Sequence, residues 1–100
     1  MEKFGLYTKF TAREGQRDTL AEILLAAADS MEFVKECVHY IINVPDGDQN
    51  AVWVTEIWND RAAHQSSLSL ESAKELIQKA KPLITGVEQI TLNPVGGKGL

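Results

Sequence analysis

Both tryptophans and one of the two histidines of this chain fall between Ala51 and Leu68, in AVWVTEIWNDRAAHQSSL. His64 is the residue there best suited to proton transfer, because an imidazole titrates near neutral pH. It has a second reading, as a helix cap or a side chain packed over the sheet edge. Glu56 precedes Trp58 by two residues, so on an extended strand the carboxylate and the indole share a face. Glu56 then either orients His64 or forms a cross-strand ion pair. Trp58 either stacks on an aromatic ligand or holds the strand–helix corner as core. Trp53 points the other way and reads as packing. Asn59 can supply a hydrogen bond beside them.

Elsewhere the candidates are sparser. His39 and Tyr40 are neighbours on one strand and face opposite sides, and Tyr7 joins whichever shares its side. Tyr40 is the second choice for a hydrogen bond to a ligand. No His, Asp, Glu or Cys set has ligand spacing, so no metal site is expected. Cys37, the lone cysteine, reads as a small buried hydrophobe rather than a nucleophile. The glycines of Gly96-Gly97-Lys98-Gly99 lack the strand and helix that frame a phosphate loop.

The elements that must position these groups follow from periodicity. Lys3 to Thr11 alternates as a strand with apolar residues on both faces. Thr11-Ala-Arg-Glu14 has capping-box spacing, with Gly15 beside it. Leu20, Ile23, Leu24, Ala27, Ala28 and Met31 then recur at helical steps over Gln16 to Met31. Cys37 to Val44 is a second strand, Pro45 to Asn50 a polar hairpin loop with Asp-Gly, and Ala51 to Trp58 the third strand. Asn59 or Asp60 can cap a short helix through Leu68. Ser69 can cap a longer one through Ile84, striped by Leu70, Ala73, Ile77, Ala80 and Ile84. Gly86 releases the chain into a fourth strand, Val87 to Asn93.

The order βαββαβ predicts an α+β, ferredoxin-like antiparallel sheet with the helices on one face. Residues 1–93 form that domain and residues 94–100 a tail. Two helices cover only one side of four strands. Yet the strands carry apolar groups on both faces, Phe4, Leu6 and Phe10 against Tyr7 and Val52, Val54 and Trp58 against Trp53 and Ile57, so the uncovered face predicts a homodimer packed sheet face to sheet face.

Composition narrows the function classes. One hundred residues, 44% hydrophobic and 24% charged, make one globular domain. The net charge of −4 with scattered basic residues argues against nucleic acid. No apolar run approaches the roughly 20 residues that span a bilayer, and no signal-peptide core is seen at the amino terminus. A cytoplasmic protein without a membrane partner is the expectation.

The βαββαβ order, with Glu56-Ile-Trp58 closing the third strand and His64 six residues later, resembles the antibiotic biosynthesis monooxygenase (ABM) domain family. Gly15 after the first strand fits too, and the resemblance runs from about Lys3 to Asn93. It implies a dimeric α+β barrel with a pocket between sheet and helices in each subunit. Some members oxidise quinols or polycyclic phenols with molecular oxygen and no cofactor; others degrade haem, isomerise small metabolites or have no known activity. The haem-degrading branch uses an Asn and a His where this chain has Thr8 and Ile77, a departure that argues against haem degradation. The resemblance thus points to a cofactor-free monooxygenase acting on a small aromatic phenol or quinol. His64 would be the base, with Trp58, Asn59, Tyr40, Tyr7 and Glu56 around the substrate. A small-metabolite isomerase, or a dimer that only binds a small molecule, is the alternative on the same fold.

Overall fold

The computed structural model describes residues 3–100. Its elements are β1 (Phe4–Ala12), α1 (Arg17–Ser30), β2 (Cys37–Asn43), β3 (Ala51–Trp58), α2 (Arg61–Ser67), α3 (Glu71–Ala80), a 3-10 turn (Lys81–Leu83) and β4 (Ile84–Leu92). The four strands form one antiparallel sheet in the order β2-β3-β1-β4, with β1 and β3 central. This is the ferredoxin-like α+β arrangement that the element order predicts. Among the described residues no helix is long and apolar enough to cross a membrane.

Alternation divides the sheet's side chains. Phe4, Leu6 and Thr8 of β1, with Val52, Val54, Glu56 and Trp58 of β3, are buried on the helical side. Leu20 and Leu24 of α1 and Ala80 of α3 close over Val52 and Val54. Each buried valine or leucine among them contributes roughly 1.5–3 kcal/mol by leaving water. A second cluster joins Phe4, Leu6, Met31 and Trp58 at the other end of the sheet.

The opposite face carries no helix. One row across it runs Ile41, Thr55, Tyr7, Ile90, and the next runs His39, Ile57, Gly5, Leu92. Tyr7, Ile41 and Ile90 are 40%, 47% and 53% exposed. Residues beyond β4 form no regular element but lie close to this face. A Cβ on Gly5 would sit 3.2 Å from both the Leu92 carbonyl oxygen and Pro94 Cγ, so a side chain there would press on both. One on Gly99 would lie 3.8 Å from His39 Nε2.

Four local expectations are corrected. Thr11 does not cap α1: it stays in the ladder opposite Ala51 and Gly86, and the next N–H, of Ala12, donates to the Asn50 carbonyl at 2.7 Å. The chain turns instead through Gly15, at φ 81°, into Gln16. Ser69 does not cap the longer helix either. Its N–H donates to Ser66 O, and those of its neighbours Leu68 and Leu70 to Gln65 O and Ser67 O, so the segment winds off the end of α2. That helix stops at Ala80 rather than Ile84, because Pro82 enters the following 3-10 turn. Gly86 does not start β4; it lies within the strand, opposite Thr11.

Candidate functional site

The site is built where β3 runs into α2. Strand alternation puts Glu56 and Trp58 on the helical face, and Asp60 then starts α2 by accepting the Ala63 N–H at 2.7 Å. That cap sets His64 one turn into the helix, back over the end of the sheet. The imidazole lies against Phe4, with ring centroids 5.2 Å apart, and meets the edge of Trp58 at 5.8 Å. Arg61 stacks over the Phe4 ring at 4.7 Å.

Trp58 is wholly buried, and its Nε1–H donates to Glu56 Oε1 at 3.1 Å. The same oxygen lies 3.8 Å from His64 Nε2. On the adjacent strand Tyr40 stands directly opposite Glu56. Carboxyl, imidazole and phenol therefore gather at one corner of the sheet.

Their environment sets their protonation. Burial raises the Glu56 carboxyl above its usual range, and the Trp58 N–H partly offsets this. Burial, then the Arg61 charge, holds His64 below its ordinary value, so the imidazole is neutral at neutral pH. Tyr40 is pushed well above the usual phenol range by burial, and further by the charges of Glu56 and Cys37, so it remains a donor. Cys37 is raised to about 11, again mainly by burial.

These groups line one side of a cleft of about 660 Å³ between sheet and helices, a size suited to a small organic molecule. Leu6, Thr8 and Phe10 of β1 and Val87 and Gln89 of β4 continue its floor. Ile23, Leu24, Ala27 and Met31 cover it from the first helix, and Ala73, Leu76, Ile77 and Ala80 from the third. Gln65, Ser67, Leu68, Lys81 and Ile84 complete the lining. The cleft is thus mostly apolar, with polar groups in a few fixed places.

Of the residues singled out in the sequence, the fold brings Glu56, His64 and Tyr40 to the cleft. Trp58 stands behind them as core. Asn59 lies outside: its N–H donates to Glu36 O at 2.9 Å, and its Oδ1 accepts from Lys3 Nζ at 3.4 Å. Tyr7 points to the open face, the side shared by His39. Sequence reasoning missed Thr8 and Gln89 as lining groups. Thr8 is 1% exposed, and its hydroxyl accepts from Gln89 Nε2 at 3.3 Å. The alternation of β1 already put Thr8 beside Leu6 and Phe10; Gln89 needed the β1–β4 register.

Residues 4–79 match the family model described as antibiotic biosynthesis monooxygenase. A solved structure from Chloroflexus aurantiacus, provisionally called an antibiotic biosynthesis monooxygenase, is 38% identical, with 95% of each chain covered and a TM-score of 0.88. A Pseudomonas aeruginosa protein shares the fold at 20% identity, over 96% of this chain and 97% of its own, with a TM-score of 0.87. A Deinococcus radiodurans structure with the same provisional description as the first is 17% identical, covers 94% of each chain and has a TM-score of 0.82. Among curated proteins none matches the sequence significantly.

Proposed function

The chain belongs to the antibiotic biosynthesis monooxygenase family, and from that premise we propose that it oxidises a small aromatic phenol or quinol with molecular oxygen, without a cofactor. The observation that carries this reading is the corner where Glu56, a neutral His64 and Tyr40 meet at an otherwise apolar cleft. An aromatic ring suits the apolar lining. A phenol hydroxyl suits the corner, where a proton acceptor and a donor are both in reach.

Ground-state oxygen reacts slowly with closed-shell molecules unless they give up an electron readily, and a phenolate does so where a phenol does not. His64 accepts the hydroxyl proton while the electron pair stays on the substrate oxygen. Tyr40 donates a hydrogen bond to the anion. One oxygen atom of O2 then enters the ring, and the other leaves as water with two hydrogens drawn from the substrate. A phenol plus O2 thus gives a quinone plus H2O. Thr8 and Gln89 join the substrate-contacting set, Trp58 supports it from behind, and Asn59 and Tyr7 lie outside it.

The working unit in this proposal is a homodimer joined through the open sheet face, supported by the exposed row of Tyr7, Ile41 and Ile90. A reducing cytoplasm suits the free Cys37 thiol. An oxygen electrode with a panel of quinols and phenols tests the activity. Oxygen uptake that falls at least tenfold in His64→Ala is the expected result. Turnover under nitrogen would make the protein an isomerase, and binding without turnover would make it a carrier; either outcome overturns the oxygenase reading.

A further inference from the structure

The geometry behind the corner points to a role for Trp58 that neither stacking on a substrate nor filling the core describes. We infer that Trp58 is a positioning residue: through Glu56 it fixes His64 with Nε2–H turned to the carboxyl and Nδ1 left as the proton acceptor. This deepens the oxygenase reading, in which His64 takes the substrate's proton, but it can be tested without any substrate.

The inference starts from one oxygen. Glu56 Oε1 accepts the Trp58 indole N–H at 3.1 Å, and an indole N–H can only donate. The oxygen used in this way is an acceptor, with one lone pair left. His64 Nε2 stands 3.8 Å from that same atom. A nitrogen facing an oxygen already committed as acceptor is favoured as N–H, whether or not Oε2 carries a proton. The other ring nitrogen, Nδ1, has no protein hydrogen-bond partner among the described residues, and in this tautomer it holds the free lone pair.

The surroundings hold this arrangement in place. Phe4 and the edge of Trp58 bracket the imidazole, and Arg61 loads the Phe4 ring. The titratable or charged groups that face the pair are few. Tyr40 and Cys37 come from β2 and Arg61 from α2, β1 offers the apolar Leu6 opposite Glu56, and Lys81 lines the cleft from the 3-10 turn. No other carboxylate lines the cleft among the described residues. In the proton transfer, the substrate O–H bond breaks, its electrons stay on oxygen, and the new N–H bond forms at Nδ1. Glu56 meanwhile faces the imidazolium that results.

Nitrogen-15 NMR of the substrate-free protein reads the tautomer directly from long-range imidazole correlations. The expected wild-type spectrum shows His64 almost wholly as the Nε2–H form. In Trp58→Phe the tautomers shift toward the mixture of a free histidine, and the Glu56 carboxyl midpoint, followed by carbon-13, moves upward for want of its donor. A side chain that only filled space would move neither. Glu56→Leu keeps the indole and is expected to release the tautomer as well, so it serves if Trp58→Phe does not fold. A wild-type His64 in the Nδ1–H form or as a mixture overturns the inference, and so does a Glu56 midpoint unchanged in folded Trp58→Phe. A wild type that takes up no oxygen while its tautomer is as expected would count against the oxygenase reading alone.

Discussion

Introducing a charge at the centre of the open face tests the proposed assembly without touching the cleft. Thr55 sits in the row Ile41–Thr55–Tyr7–Ile90, and its side chain points away from Glu56 and His64. In the folded monomer Thr55→Lys costs little: the ammonium is in water, and the substitution removes only the exposed 3.1 Å hydrogen bond from Asn43. In a twofold dimer closed on this face, two ammonium groups must leave water near the same axis. Burying an unpaired ion costs several kcal/mol, but a lysine stem can bend toward the rim, so about 2 kcal/mol per chain is a cautious figure. Two chains give about 4 kcal/mol, close to a thousandfold in the dissociation constant. Sedimentation velocity at micromolar concentration should show a wild-type dimer and a Thr55→Lys monomer with an unchanged far-ultraviolet circular dichroism spectrum. A variant that still dimerises like the wild type refutes the face assignment, and a monomeric wild type refutes the dimer.

Three other outcomes follow from the site and its supports. Because burial raises the Glu56 carboxyl in the folded state, folding favours its protonated form. Its stabilising share is complete below the unfolded pKa and is lost as pH rises through the folded one. Glu56→Gln, which keeps an acceptor for Trp58, should therefore gain stability relative to wild type between pH 4 and pH 8 in urea titrations; a pH-independent difference contradicts this. Cys37, raised from 9.0 to about 11, should carry about a hundredfold less thiolate near neutral pH than an ordinary cysteine, and alkylation by iodoacetamide should be slow until the protein is unfolded. Asp60→Ala removes the cap of a short helix and should cost about 1 kcal/mol, read as a melting temperature lower by roughly 4–8 °C. No change there would mean that α2 is held by packing alone.

Much of this was legible in the sequence because periodicity maps directly onto burial. The two-residue step in β1 and β3 told which side chains share a face, and it put Glu56 with Trp58 and Tyr7 on the far side from Glu56 once the register was known. The three- and four-residue steps gave α1. What the sequence left open was decided by contacts between distant segments. Thr11 could have capped a helix, but the ladder to Ala51 and Gly86 claimed its backbone. Ser69 could have capped another, but the winding end of α2 took it first. Asn59 sits next to Trp58 in sequence yet lies outside the cleft, held by Glu36 and Lys3. Gln89 has no local signal at all; only the pairing of β4 with β1 brings it to Thr8.

Alternation along β3 has a consequence for how this chain can change by mutation. Val52, Val54, Glu56 and Trp58 build the core and the candidate corner, while Trp53, Thr55 and Ile57 between them face outward. A substitution at an outward position can retune the proposed self-association and leave the candidate site alone, and one at an inward position can do the reverse. A single inserted or deleted codon cannot act so selectively. It would turn every downstream side chain of the strand to the other face, sending Glu56 and Trp58 outward and Trp53 or Ile57 into the cleft. The coding segment for this strand should therefore accept many point changes on its outer positions and almost no change in length, whereas in the polar loop before it, residues 45–50, only Asp48 and Asn50 are tied by hydrogen bonds to the rest of the described residues.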